Sequence, residues 1–150
     1  MIQPIVFDAK TPRYAMPFLI PGQAQKELFL NESLALIDML MHPVVTGSAA
    51  TPPTSPAAGE CWIVEAQAVD AWAGQDNALA GWDGAQWTFA SPAEGLGVHD
   101  LSTGAKRHFS GSWTNAPVVE SPTGGSVIDS EARAAVDSLL AAVRRAGLIA

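Results

Sequence analysis

The sequence predicts an α+β chain: an N-terminal extended arm and helix, a small antiparallel Trp-rich β unit of hairpins, and a C-terminal helix. Three observations carry this reading. Residues 23–41 and 129–146 contain no Gly or Pro and repeat apolar side chains at helical spacing. Residues 58–117 alternate short apolar and aromatic runs with Gly- and Asp-containing turn sequences, the pattern of short paired strands. Most of the 11 prolines fall outside these blocks and divide the chain into an arm with its helix (1–42), a stiff linker (43–57), the β unit (58–117), a second linker (118–128) and the closing helix (129–150).

The arm carries Pro4, Pro12, Pro17 and Pro21, a spacing that forbids continuous helix. It also carries Ile5, Phe7, Tyr14, Phe18, Leu19 and Ile20, which are too apolar to be left in water. The arm is therefore expected to dock on its own domain or on a neighbouring subunit.

In the first helix, Leu30, Leu34, Ile37 and Met41 follow one another at spacings of 4, 3 and 4, with Gly22 expected at its start and His42-Pro43 ending it. Phe29, Leu36 and Leu40 broaden the apolar surface, so this helix needs packing partners on more than one side. Gln23, Glu27, Asn31 and Asp38 form a polar stripe beside it, either a solvated side or a hydrogen-bonded stripe that sets the register of a subunit contact.

Within the β unit, Cys61–Val64 reads as a strand. Leu79–Trp82 and Ala85–Ala90 read as a hairpin closed by Asp83-Gly84 in a tight type I′ turn. A second hairpin is expected from Leu96–Leu101 and Ala105–Ser110 around Ser102-Thr103-Gly104. An aromatic-x-Gly unit occurs at Trp72-Ala73-Gly74, Trp82-Asp83-Gly84 and Phe109-Ser110-Gly111, which suggests a degenerate hairpin repeat.

The closing helix has the most complete local signals. Asp129 is its expected cap, Glu131 lies at the positive end of the dipole, and Arg144 and Arg145 lie at the negative end. Ala132, Val136, Leu139, Val143 and Ala146 form a heptad-like seam broadened by Leu140, and Gly147 with Leu148 fits a Schellman ending. The two helical seams, Leu30, Leu34, Ile37 and Met41 with Val136, Leu139, Leu140 and Val143, are the expected self-association surfaces. So short a helix is marginal alone in water and must pack on the first helix or on copies of itself.

Composition restricts the functional classes. The chain has 150 residues, 48% apolar and only 15% charged, and alanine supplies 26 of the apolar residues, so there is material for one modest core. No Lys or Arg occurs between Lys26 and Lys106, while ten carboxylates lie from Glu27 to Asp100. Such a surface repels nucleic acid, whose binding needs clustered cations. The longest apolar run, within Leu34–Met41, is interrupted by Asp38 and is far shorter than the roughly 20 residues of a membrane span. The N-terminus lacks the basic start and apolar stretch of a secretory signal, so synthesis in a cytoplasm is expected.

Catalytic signatures are missing from the sequence. There is no phosphate-binding Gly loop, nucleophile elbow or zinc-protease helix, and the acids lack calcium-loop spacing. His99 and His108 could hold a metal with Asp100 across the second hairpin, or simply occupy a solvated strand face. Cys61 is expected as a buried, inert thiol. Trp72, Trp82, Trp87 and Trp113, near Asp76, Asn77, Asp83 and Gln86, admit two readings: a sugar-stacking platform, or the aromatic core of a small sheet. No enzyme activity, cofactor or metal is expected.

Thr11-Pro12-Arg13, Pro17, Gly22-Gln23-Ala24-Gln25-Lys26-Glu27 and Asn31-Glu32 with Asp38 resemble the opening of an uncharacterised domain family of alphaproteobacterial prophage and gene-transfer-agent structural proteins. Gly59-Glu60, Trp62-Ile63-Val64, Ala71-Trp72-Ala73-Gly74, Trp82-Asp83-Gly84, Trp87 and Phe89 are similar to its middle block, and Ala132-Arg133 to Ile149 looks like its closing helix. The chain departs from that pattern at Phe29 and Leu30, where polar residues are common, and at Leu96, where an aromatic is common. The resemblance implies a non-enzymatic component of a phage-like particle, the base or adaptor of a head spike or tail fibre that carries a receptor-binding protein. Joined to the unpartnered seams and the apolar arm, it leads to the expectation of a homo-oligomer that docks on other particle proteins, such as a capsid vertex or fibre, through Phe7, Tyr14, Phe18, Gln23, Lys26, Glu27 and Asn31. The remaining alternative is a carbohydrate-binding module for host surface polysaccharide.

Overall fold

The computed structural model describes residues 14, 16–19, 22–126 and 129–149. Phe7 and most of the expected arm lie outside the described residues. In chain order the elements are α1 (Lys26–Met41), β1 (Val44–Val45), β2 (Ser48–Ala49), β3 (Cys61–Val64), a 3₁₀ turn (Asp70–Trp72), β4 (Leu79–Trp82), β5 (Trp87–Ala90), β6 (Gly97–Asp100), β7 (Ala105–Phe109), β8 (Trp113–Thr114) and α2 (Ser130–Arg145). The α+β class holds, with two helices and two small sheets.

The sheets are mixed, not purely antiparallel. One has the order β2-β3-β4-β5 and the other β1-β6-β7-β8, and in each the short first strand runs parallel to its neighbour. Both parallel strands come from the stretch expected as a linker. Val44 pairs with His99 and Ser48 with Ile63. Around them the Thr46 N–H donates to Cys61 O at 2.8 Å, and the Leu101 N–H to Val45 O at 2.9 Å. The residues just after Pro43 thus satisfy backbone groups of both sheets, and so join them.

Strand alternation places the cores. In the first sheet Ile63, Leu79 and Ala90 are cross-strand neighbours on one face, and Trp62, Ala80 and Phe89 on the other. The first face meets Leu36 and Met39 of α1, Val45 of β1, and Leu96 and Val98 of the second sheet, making the main core. The opposite face buries Val64 and Ala80 under Trp72, which the 3₁₀ turn lays across it.

The first helix begins at Lys26, three residues later than the sequence suggests. Gln25, not Gly22, is its cap, with φ 53° and no side-chain cap bond. Its buried side is Leu36 and Met39, with Leu40 partly buried, whereas Leu30, Leu34, Ile37 and Met41 are all exposed. Periodicity alone could not choose between the two stripes, since both are apolar.

The hairpins have longer connections than expected. Trp82 pairs with Trp87, leaving Asp83-Gly84-Ala85-Gln86 as a four-residue loop in place of a two-residue type I′ turn. The Asp83 carboxylate fixes it by accepting from the Ala85 and Gln86 N–H groups at 2.7 and 2.8 Å. In the second hairpin Asp100 pairs with Ala105 around Leu101–Gly104. Of the three aromatic-x-Gly units, two are hairpin ends closed by directly paired aromatics, Trp82 with Trp87 and Phe109 with Trp113. The unit at Trp72 instead begins at the last residue of the 3₁₀ turn, so it is not a hairpin repeat.

Both ends of α2 follow local chemistry. Asp129 accepts from the Glu131 and Ala132 N–H groups, at 3.1 and 2.9 Å. At the other end Gly147 has φ 67°, its N–H donates to Arg144 O, and the Leu148 N–H donates to Val143 O, the bond pattern of a Schellman motif. Arg133 bonds the carbonyls of Pro122 and Gly124, and Arg144 that of Val119, so the second linker is tied back along the helix. The Lys106 N–H donates to Gly147 O at 2.7 Å, anchoring the helix end on β7.

Candidate functional site

The exposed side of α1 is the first candidate. Leu34 is 53% exposed and Met41 77%, with Leu30 and Ile37 close behind, so three helical turns present apolar side chains to solvent. On α2, Val136 and Leu139 are likewise exposed, Leu139 to 63%, and Val143 is half-buried. Leu140 is buried within the chain and drops out of the expected self-association set. Spacings of 4 and 3 that point outward are the seam geometry of helix pairing between molecules. Of the residues expected to dock on partners, Lys26, Glu27 and Asn31 are exposed, while Tyr14, Phe18 and Gln23 are half-buried.

The tryptophans divide into structural and accessible groups. Trp72 is fully buried and cannot stack a ligand. It contacts Trp87 edge-on at 5.1 Å and Trp62 at 6.4 Å. Trp113 packs against the main core, 5.4 Å from Phe109, and its Nε1–H donates to Asn77 O at 2.9 Å. Trp82 and Trp87 remain half-buried at the hairpin end, ring centroids 5.0 Å apart, next to exposed Asp83 and Gln86. Burial removes Trp72 from the four-residue platform, and Trp82 and Trp87 are the two that lie side by side at one hairpin end.

A groove of about 290 Å³ lies between α1 and the first sheet, lined by Asp38, Met39, Cys61, Gly81, Asp83 and Thr88 among others. Burial, and then the negative charge of Asp38, push the Cys61 thiol above its ordinary value of 9.0, so it stays protonated at neutral pH. A reactive nucleophile needs the opposite shift. Asp83 is lowered by the N–H groups of Gln86 and Ala85, which favour its ionised form. No group of three or more His, Cys, Asp or Glu side chains suited to a metal occurs among the described residues. Of the two readings for His99 and His108, the metal set with Asp100 does not assemble, because Asp100 faces the interior while the histidines sit on the opposite face of their sheet.

Comparison with known proteins gives a family match. The family described as "Protein of unknown function (DUF2793)" matches residues 30–114. The chain belongs to this family. The DUF2793 match runs from the second turn of α1 through β8, so it contains the exposed α1 seam, both sheets and all five tryptophans. The arm and α2 lie outside it. No curated protein matches the chain. Among the described residues, no helix is long and apolar enough to cross a membrane.

Sequence reasoning missed the joining role of residues 43–49. The only trace of it is Val44-Val45, two β-branched residues immediately after a proline.

Proposed function

We propose that this DUF2793 protein is a structural, non-enzymatic component of a phage-like particle, a gene transfer agent or prophage product. In this reading it is made in the bacterial cytoplasm and built into the particle as the base or adaptor of a head spike or tail fibre. It self-associates and carries a receptor-binding protein. The observation that carries the reading is the outward-facing Leu30, Leu34, Ile37 and Met41 seam on a helix whose other side is already packed. Apolar side chains aligned over three turns suit a permanent subunit contact better than a solvated face. The resemblance of the Gly22–Glu27 and Trp72–Gly74 blocks to particle proteins supports the same assignment.

Light scattering on the full chain at tens of micromolar tests self-association: an oligomer is expected, and a folded monomer would overturn that part. Electron microscopy of particles from cells with and without the gene tests location. Loss of an external spike or fibre is expected, and unchanged particles would overturn the adaptor assignment.

A second reading, binding of host surface polysaccharide, draws on the half-exposed Trp82 and Trp87 beside Asp83 and Gln86. It predicts a saturable change in tryptophan fluorescence with host glycans that Trp82→Ala removes. A flat response across a broad panel would eliminate it.

A further inference from the structure

Lys106 and Arg107 are the only Lys or Arg residues between Lys26 and Arg133, a stretch with 13 carboxylates. Their separation across β7 gives them different surroundings. Arg107 points to the interior side, where it meets Asp100 at 3.5 Å, the only ion pair among the described residues. Lys106 is exposed on the other face.

The strand register gathers further groups around it. His99 pairs with Lys106, Gly97 with His108, and His108 with Thr114, so these side chains share the outer face of the second sheet. The inner face is the one with buried Val98, Asp100 and Ala105. A depression of about 320 Å³ opens on the outer face, lined by Gly97, Lys106, His108, Thr114, Asn115 and Leu148 among others. Gly97 contributes no side chain to it, and the Lys106 N–H bond to Gly147 O fixes the end of α2 on β7, which brings Leu148 into the lining.

The lining therefore supplies an ammonium, an imidazole and an amide, with no acidic side chain among its residues. Thr114 Oγ1 is already committed as a donor to His108 O, at 3.0 Å. In a chain of net charge −7, this is a local reversal of sign inside a concave surface, which concentrates anions. We propose that this depression binds an oxyanion, the carboxylate or phosphate group of a ligand, through Lys106 and His108 with Asn115. Lys106 supplies the charge and His108 a ring N–H donor. His99 lies beside Lys106 on the same face and adds to the field.

The test is an NMR titration of the histidine ring signals of the full chain at pH 6, with inorganic phosphate in one arm and glucuronate in the other. His42, at the C-terminal end of α1, serves as the internal reference. Saturable movement of the His108 and His99 signals with His42 still is the expected result, and the arm that saturates first identifies the favoured anion. Lys106→Ala should weaken binding at least about fivefold, the loss of one charge-assisted contact, and His108→Gln should weaken it as well while the fold is kept. Equal movement of all three histidines, reproduction of the shifts by chloride at matched ionic strength, or unchanged affinity in Lys106→Ala would each overturn the proposal.

Discussion

Gly81 of β4 lies directly against Met39 of α1: a Cβ at position 81 would stand 2.9 Å from Met39 Sδ and 3.6 Å from Cys61 Sγ. This close approach seats the helix on the first sheet, and it explains a glycine in the middle of a strand, where it otherwise weakens pairing. Gly81→Ala should displace Met39 and cost about 1 kcal/mol, and Gly81→Val about 3. Because the methionine is flexible, Met39→Ala should make room. The Gly81→Ala/Met39→Ala pair should then be destabilised by less than the sum of the single changes, by at least about 0.5 kcal/mol. Urea denaturation of the four proteins measures both effects, and strict additivity would mean that the two residues do not compete for space.

Trp72 lies among Trp62, Trp87 and Phe89 on the outer face of the first sheet, and its Nε1 is buried without a hydrogen-bond partner. Its stabilising contribution is therefore ring burial, not hydrogen bonding. Trp72→Ala should cost about 3–5 kcal/mol, and Trp72→Phe less than half as much, since no indole bond is lost. Trp82→Ala, on a half-exposed ring, should cost less than Trp72→Ala. Denaturation midpoints check the order Trp72→Ala, Trp72→Phe, wild type. A Phe variant as unstable as the Ala variant would point to an unseen partner for Nε1.

Local chemistry was readable in advance and long-range pairing was not. The Asp129 cap, the Gly147 ending and the dipole charges of α2 each depend on residues within one turn, and all are visible in sequence. The 4-3-4 stripe of α1 was visible as well. Which apolar stripe faces inward was decided by the shape of the sheet beneath it, where Gly81 admits Met39. The parallel strands at Val44–Val45 and Ser48–Ala49 draw their stability from partners about 55 and 15 residues distant, and the surrounding prolines argued locally against strands. Of the aromatic set, composition could not separate buried Trp72 from accessible Trp82 and Trp87. Only the 3₁₀ turn before Gly74, which folds Trp72 back over the sheet, distinguishes them.

Asp100 is 1% exposed and holds the second hairpin together from inside. Its Oδ1 accepts from the Ser102 N–H at 2.9 Å and the Ser102 hydroxyl at 2.6 Å, and its Oδ2 faces the Arg107 guanidinium at 3.5 Å. Asp100→Ala leaves a largely buried Arg107 charge unpaired and should cost about 3–5 kcal/mol. Asp100→Asn retains part of the loop bonding and should cost less. Replacing both partners by apolar residues, Asp100→Ala with Arg107→Met, should recover part of the loss, because the uncompensated charge is gone. Chemical denaturation of the three variants separates these outcomes, and no recovery in the double variant would show that the Ser102 bonds, not the ion pair, dominate.

Cys61 and Asp38 face the same groove, and their coupling predicts how the thiol responds to pH. Burial and the Asp38 carboxylate both disfavour the thiolate, so the folded protein holds the proton to higher pH than the unfolded chain does. With a folded-state pKa above the unfolded one, the associated stability is fully present below the ordinary thiol range and is lost as pH rises through the folded value. Denaturation midpoints should accordingly fall between pH 8 and pH 10.5 by more in wild type than in Cys61→Ser. At pH 8, iodoacetamide should label Cys61 more slowly than it labels the urea-unfolded chain, and Asp38→Asn should accelerate labelling by removing the nearby charge. Asp38 is exposed on α1, so its replacement leaves the packing of Leu36 and Met39 in place, and the change in rate reads the electrostatics alone. Labelling as fast in the folded as in the unfolded protein would contradict a thiol held protonated in the groove.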